Sequence, residues 1–583
     1  MARIFYDGEK IVATANTANI EQLTSFAEKY KAETLPAVNG YAFPRSVQCI
    51  KDLSTLTQTA LDPTFEELLN KVNKANRIKQ DFIDSLNLPE KMYPFQKETV
   101  AKIVKWMHNT LIAGEMGVGK TCMGSVALKV LGEAYPALIV CPASLKLNWE
   151  KEIHTWTPDV KTYIINGRET YNESYVVEKA RQSDVVIINY DILGFDDKER
   201  VEREKKRIKI AKEEGRKYRK AFIPVEGWIN KIISEIKPHA IICDECQALG
   251  NPESIRSRAI IQISKDNSIL KLFLSGTPFE TKVLQFYTIC HIMNPELFSN
   301  EWEYKQRYCN PYRDRYGHWH FDGCSNVEEL RRKLATFMIR LEKKDVLPFL
   351  PPKQKIPVYF DMDKKSREAY DKMEEELLSF EEGSIHQFTY LAKMKEALTE
   401  IKVNAVIQFI KDMLDVENKL VTFVFHTAMY ETLMSTFGNQ CVGINGGLSD
   451  FKRQDAVNKF QKDTEIRQFI GQLQAASTGI TLTAAHIMVF SEWGQTAVQM
   501  EQACDRIHRI GQESERCLYY YLIVKDTIDE DPMETLGKHY EDIQAVLNGN
   551  INVKFVDIDE SMILGVKSRR LMKNKETVQI EYE

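Results

Sequence analysis

The octapeptide GEMGVGKT, Gly114 to Thr121, limits what this chain can fold into more than any other stretch. It matches G-x-x-x-x-G-K-[ST], follows the apolar run TLIA and opens onto CMGSVALKVL, a segment suited to a helix. A strand, a glycine-rich turn and a helix in that order wrap backbone N–H groups around an anion at a helix N-terminus. The pattern predicts a phosphate site: Gly114, Gly117 and Gly119 let the backbone close in, Lys120 reaches the β and γ phosphates, and Thr121 offers its hydroxyl to Mg²⁺.

Such a loop belongs on a parallel sheet, and the runs for one are present. NTLIAGE, PALIVC, DVVIINY, HAIIC and KLFLSG fall between about residues 90 and 295. LVTFVFH, IRQFIGQL, HIMVFS and LYYYLIV follow between about 400 and 545. Short continuous apolar runs alternating with amphipathic segments are what strands covered on both faces require, so two tandem α/β domains are expected. Between them LPFLPPKQK, with Pro348, Pro351 and Pro352, reads as an extended connector. The charged run 196–220 reads as a solvated insertion of helices, with a DNA-contacting protrusion as the alternative.

A phosphate loop needs an acid at the end of a neighbouring strand, and IICDECQ supplies two. Asp244 would hold the magnesium shell and Glu245 would orient or deprotonate the attacking water. Cys243 and Cys246 flank this pair, but a zinc site needs two further ligands and a redox site a thioredoxin-like context, and neither accompanies them. Toward the other end, EQACDRIHRIGQ sets Gln502, Arg506 and Arg509 at Q-x-x-x-R-x-x-R spacing. On a helix the two arginines would share a face, and planar guanidiniums suit a γ-phosphate whose charge shifts during transfer.

Bulk properties exclude little. At 583 residues the chain exceeds one hydrophobic core. A net charge of −5 rules out a general basic coat but not a basic cleft. The 11 scattered cysteines fit free thiols, no apolar run approaches a bilayer span, and MARIFYDGEKIV lacks a signal-peptide core, so a cytoplasmic protein without a membrane partner is expected.

Taken in order, MYPFQ, GEMGVGKT, VCPASLKLNWEKEI, DECQ, LSGTPFE, AASTGITLTAA and DRIHRIGQ resemble the Swi/Snf-type ATPases of helicase superfamily two, over about residues 88 to 530. The resemblance implies an α/β fold of two tandem RecA-like parallel-sheet lobes with ATP hydrolysed between them, and translocation on double-stranded DNA. By matching position, Gln96 would read the adenine. Gly117, Gly119, Lys120 and Thr121 would hold phosphates and metal, and Asp244 with Glu245 would form the acidic pair. Arg506 and Arg509 would be arginine fingers from the second lobe, with Gln512 closing their motif. Ser144, Lys146, Asn148 and Trp149 would line the DNA track on the first lobe, and Ser477, Thr478 and Gly479 on the second. Trp149 reads equally as a core aromatic.

The expected division is an N-terminal α+β module over 1–85, a first lobe over 86–295 with a charged insertion at 196–228, a helical inter-lobe region over 296–400, a second lobe over 401–545, and a tail over 546–583. RYCNPYRDRYGHWHFDGCSNVEELRRKL, TAAHIMVFSEW and NGYAFPRSVQCIKDL are similar to the small annealing-helicase (HARP-type) branch, which implies forked and single-stranded DNA as partners besides duplex. A chain that is nearly all motor suggests a bacterial or phage protein acting in the host cytoplasm or nucleoid. The sequence departs from the family at Gln247, where His is usual, at SEWGQT in place of Trp-Asn-Pro, and at Glu280, where Asn or Gln is common. The competing readings are a DNA-binding scaffold on a degenerate ATPase fold and a strand-separating DNA or RNA helicase.

Overall fold

The structure is a computed structural model that describes every residue except 1, 8–9, 45–46, 76–77, 167–172, 195–227, 229–230, 316, 380–384, 478 and 549–583. The charged insertion expected at 196–228, apart from Trp228, and nearly all of the tail therefore lie outside the described residues. The chain forms two compact units. One runs to Glu342 and the other from Lys343 to Gln544, apart from short exchanges at Met116–Val118 and Ala545–Gly549.

The first unit opens with a five-stranded sheet in the order Glu33–Leu35, Gly40–Phe43, Ile11–Thr14, Ala2–Tyr6, Thr59–Leu61. It is antiparallel except where Ala2–Tyr6 runs parallel to Thr59–Leu61. Ile4, Ile11, Leu23, Phe43, Leu53 and Phe65 form its core, so this module is α+β. It is tied to the helix Val327–Leu334 by buried polar groups. Glu329, 5% exposed, accepts from the Gln58 N–H at 2.9 Å, the Tyr308 hydroxyl at 2.6 Å and Arg307 at 2.6 Å. Lys333 donates to Thr57 Oγ1 at 2.7 Å. A buried carboxylate is tolerable only with this many donors around it.

The rest of the first unit is a seven-stranded, wholly parallel sheet. Its order is Met338–Leu341, Thr110–Gly114, Leu270–Ser275, Ala240–Asp244, Ala137–Cys141, Val185–Asn189, Thr162–Ile164. The central strands TLIAG, AIICD, ALIVC and VVIIN are buried at every position, which is why their sequences read as unbroken apolar runs. The loop 115–119 and the acids at 244–245 thereby emerge from the same, C-terminal edge of the sheet, where α/β folds bind ligands.

The second unit carries a six-stranded parallel sheet ordered Lys353–Phe360, Cys517–Val524, Ile487–Phe490, Leu420–Val424, Gln468–Gln472, Cys441–Ile444. The extended connector expected at LPFLPPKQK begins as a turn, with the Leu350 N–H on the Leu347 carbonyl at 3.0 Å, and from Lys353 onward is an edge strand in register with Cys517–Val524 over eight pairs. Helices Lys364–Leu378 and Ile385–Val416 follow it. Both sheets have the RecA-like form. No helix among the described residues is long and apolar enough to cross a membrane.

Candidate functional site

The strand Thr110–Gly114 runs into the loop and then into the helix Lys120–Leu131. Gly117 and Gly119 have φ of +84° and +82°, the left-handed region that glycine enters without strain. At Gly119 there is no room either: a Cβ would lie 2.4 Å from the Gln96 side-chain nitrogen. Gln96 is 4% exposed and its Oε1 caps the Tyr93 N–H at 3.0 Å, so this glutamine is fixed against the loop from the helix Pro94–Trp106. Lys120 is 8% exposed and its ammonium donates to the Gly114 and Glu115 carbonyls at 2.8 and 3.3 Å, while Thr121 sits in the first turn beside it. The helix lies close on the sheet because Gly124 faces Ile242, where a Cβ would come within 3.3 Å.

Asp244, 6% exposed, ends the strand Ala240–Asp244, which Leu270–Ser275 separates from the strand of the loop. Burial, then the neighbouring Glu245 carboxylate, push its pKa up to about 7, against the pull of the Trp149 N–H and the Lys120 ammonium. Trp149 donates its indole N–H to Asp244 Oδ2 at 2.8 Å, and Tyr190 donates its hydroxyl to the Asp244 carbonyl at 2.8 Å. Trp149 is fully buried, so the expected place on a DNA track is corrected: it is a core aromatic that orients the acid. Trp149→Phe removes one hydrogen bond to a charged acceptor, worth about 1.5–3 kcal/mol. ATP turnover of that variant should fall about tenfold, with a raised magnesium requirement, as a steady-state assay over a magnesium titration would read. Unchanged magnesium dependence would mean that Trp149 only packs.

The donor set fits a magnesium nucleotide. Among the described residues no three His, Cys, Asp or Glu side chains gather as a metal site. One carboxylate and one hydroxyl beside an anion cradle suit a magnesium ion that takes its other ligands from phosphate and water. Burial raises the Cys243 and Cys246 thiols well above their ordinary value, which opposes the thiolate that zinc or redox chemistry needs.

Glu245 stands at φ +50°, ψ +51°, a left-handed backbone that turns its side chain out of the strand line. Gln247 Nε2 donates to Glu245 Oε2 at 2.8 Å, Ser275 Oγ donates to Gln247 Oε1 at 2.7 Å, and the Thr277 N–H donates to Ser275 Oγ at 3.0 Å. The departure at Gln247 thus builds a continuous link from the acid to the Ser-Gly-Thr-Pro loop. Glu280, the other departure in this lobe, is half-buried, and burial and then Glu245 raise its pKa.

In the second unit the helix Ala497–Cys504 stops before the arginines. Arg506 and Arg509 lie on successive turns rather than on one helical face, because Asp505 is drawn into a buried ion cluster. Lys343 and Lys353 both reach Asp505 Oδ1, at 2.8 and 2.7 Å, and hold its carboxyl far below the usual range against its burial. Lys343 also donates to the His508 carbonyl at 2.7 Å. Arg506 is 1% exposed and donates to the Gln502 and Ile480 carbonyls at 2.7 and 3.3 Å. Arg509 is half-buried, with its Nε on the Asp505 carbonyl at 3.0 Å and NH1 on Thr481 Oγ1 at 3.1 Å. Gln512 donates to the Ala485 and Ile507 carbonyls, both at 2.9 Å, a structural brace with no free nitrogen aimed at a ligand.

Of the expected DNA-track residues on the first lobe, Ser144 and Asn148 are exposed at the start of the helix Lys146–Trp156. Lys146 is turned inward onto Asn166 Oδ1 at 3.0 Å and Asn189 Oδ1 at 3.3 Å. On the second lobe Gly479 is exposed with φ +76°, whereas Ser477 is 4% exposed, too buried as placed to reach a phosphate. Thr478 lies outside the described residues. Sequence reasoning missed Tyr190 and Arg340. Arg340, on the edge strand beside the loop, donates to the Ala113 carbonyl at 2.9 Å. A lone arginine in MIRLEKK carries no signal of that, whereas a tyrosine closing the run DVVIINY could have been suspected at a strand end.

Two family models match the chain. The SNF2-related domain matches residues 53–417 and the helicase conserved C-terminal domain residues 401–511. A human protein named DNA annealing helicase and endonuclease ZRANB3 is 28% identical over 481 residues, covering 80% of this chain and 41% of its own length. A Caenorhabditis elegans homolog of SWI/SNF-related matrix-associated actin-dependent regulator of chromatin subfamily A-like protein 1 is 28% identical over 501 residues, covering 82% of this chain and 65% of its own. A Mycoplasma genitalium protein named as an uncharacterized ATP-dependent helicase is 25% identical over 486 residues, covering 79% and 42%. The chain thus spans about two fifths of the length of the human relative, and these sources give the expected bacterial or phage origin no particular support. A solved Sulfolobus solfataricus SWI2/SNF2 ATPase core in complex with dsDNA aligns at 20% identity with a TM-score of 0.36, covering 79% of this chain and 98% of that one. With the SNF2-related domain matched over more than half its length, and both parallel sheets in place, the chain belongs to the SNF2-related family of superfamily-two helicase-like ATPases.

Proposed function

We propose that the chain is an ATP-driven motor on double-stranded DNA, with forked DNA remodelled or annealed as the finer task. The observation that carries this reading is the joint presence, at one edge of the first parallel sheet, of the phosphate cradle, the buried Lys120 and the Asp244–Glu245 pair. In this reading the loop amides and Lys120 bind the phosphates, Thr121 and Asp244 hold magnesium, and Gln96 meets the adenine. Bound magnesium supplies charge neutralisation at the β and γ phosphates. Glu245 takes the proton of the attacking water, and Arg509 offers its fork to the γ-phosphate while Arg506 holds the Gln502 and Ile480 carbonyls. Ser144, Asn148 and Gly479 are the exposed groups retained for DNA phosphates, and Thr478 keeps its place by motif alone.

Phosphate contacts dominate such a grip, so binding should weaken steeply with salt and show little sequence preference. The names of the annealing-helicase relatives support annealing as the finer task. The five-part division at 1–85, 86–295, 296–400, 401–545 and 546–583 is kept as a functional proposal, with the cytoplasm or nucleoid as the proposed place of action.

The test is steady-state ATP hydrolysis with no nucleic acid, blunt duplex, single-stranded DNA, forked DNA and RNA. Strong stimulation by duplex supports the motor, and a further rise with the fork supports the finer task. Stimulation by RNA alone, or by none of these, refutes it in favour of an RNA helicase or a scaffold.

A further inference from the structure

Residues 300–326 of the first unit carry a group of aromatic rings that the nucleotide site does not use. A short antiparallel hairpin pairs Tyr312–Arg313 with Trp319–His320. Two pairs of residues do not hold a hairpin in water, so this one is built at both ends. At the turn, Asp314 accepts from the His318 N–H at 2.9 Å and from His320 Nε2 at 3.0 Å. At the base, the Ser325 N–H donates to the Tyr308 carbonyl at 2.9 Å and the Asn310 N–H to Ser325 Oγ at 3.1 Å. The hairpin is thus hydrogen-bonded at both ends.

What it mounts is unusual for a surface. Trp319 meets Trp302 edge to face at 6.1 Å between centroids, and Phe321 closes the group at 5.7 Å from Trp302. Tyr312 stacks on His320 at 4.9 Å. The Arg313 guanidinium lies over the Trp319 ring at 4.5 Å. Yet Trp302, Trp319 and Tyr312 remain 50%, 39% and 52% exposed. Burying an aromatic ring is worth about 1.5–3 kcal/mol, so three half-open rings represent binding capacity left unused within the fold. Two cations lie over these rings, Arg313 over Trp319 and Lys305 over Phe321, with Lys305 also paired to Glu301 at 2.7 Å.

We infer that this hairpin is a stacking platform for the unpaired bases of a DNA strand, with Arg313 stacking on one ring and reaching the strand's phosphates. The inference rests on the DNA-motor reading and deepens it by naming where the single-stranded part of a fork would lie. Ring faces plus a guanidinium are what sequence-tolerant single-strand sites use, each stacked base being worth about 1–3 kcal/mol. A duplex cannot use such a platform, because its bases already stack on one another.

The test compares full-length wild type with Trp302→Ala/Trp319→Ala and with Trp319→Phe. Binding is read by fluorescence anisotropy on a blunt duplex and on the same duplex with a single-stranded thymidine tail, without nucleotide. The preference of wild type for the tailed duplex should fall about tenfold or more in the double variant and be largely retained with phenylalanine. In wild type, 5-bromodeoxyuridine placed in the tail should photocrosslink to peptides carrying Trp302, Tyr312 or Trp319, a readout that does not depend on the variants folding. A preserved preference in the double variant, equal loss on blunt and tailed DNA, or crosslinks confined to other segments would overturn the platform. ATP hydrolysis separates the two levels. If no DNA stimulates wild type, the motor reading falls and the platform with it. If duplex stimulates while the tail preference ignores the hairpin, only the platform falls.

Discussion

Replacing Glu245 by glutamine should leave a protein that binds ATP and DNA but turns ATP over about 10²- to 10⁴-fold more slowly, the span that a positioned general base contributes. The structure favours a clean result. Glutamine matches the shape of glutamate, and the residue's φ of +50° is set by the turn after the strand rather than by its charge. The carboxylate accepts from Gln247 Nε2, and an amide oxygen can accept the same bond. Fold, nucleotide affinity and DNA affinity should therefore survive while the proton acceptor is lost. Single-turnover hydrolysis beside equilibrium ATP binding makes the check. Lost binding would mean that the substitution broke the cradle, and normal turnover would mean that the water is activated elsewhere.

Arg509→Ala should cost on the order of 10³-fold in DNA-stimulated turnover, the scale of a withdrawn arginine finger. The side chain is anchored at its Nε by the Asp505 carbonyl, which leaves the guanidinium plane directed by the protein before any ligand arrives. Lysine at 509 should not restore activity, since a single ammonium lacks the planar fork. Arg506→Ala is a different experiment. Arg506 is buried and holds the Ile480 carbonyl, so its loss should lower the melting temperature as well as the rate. A variant lacking Arg509 that keeps near-full stimulated turnover would remove this residue from the mechanism.

The nine strands that the sequence made visible are the inner strands of the two parallel sheets, and the four strands of those sheets that it hid are their edges: Thr162–Ile164, Met338–Leu341, Lys353–Phe360 and Cys441–Ile444. The reason is physical. An inner strand of a covered parallel sheet must be apolar throughout, whereas KQKIPVYF is only partly buried along its length and can afford lysines. The phosphate loop and its acids were legible because their chemistry depends on near neighbours in the chain. Trp149 was not, because spacing along a helix does not say whether an indole faces solvent or a carboxylate far away in sequence. The arginines were legible as a pair but not as a geometry. The ion cluster of Lys343, Lys353 and Asp505 that ends their helix is assembled from three separated segments.

The bridge from Glu245 through Gln247 to Ser275 has a consequence for the conditions under which such a motor can work. In the family that the sequence resembles, histidine usually stands at this place, and an imidazole gains or loses a proton near neutrality, changing which of its nitrogens can donate. A carboxamide has one donating end and one accepting end at every physiological acidity. On the proposed mechanism the link from Glu245 to the neighbouring loop has no proton of its own to lose, so acidification should act at the Asp244 carboxyl and not at this link.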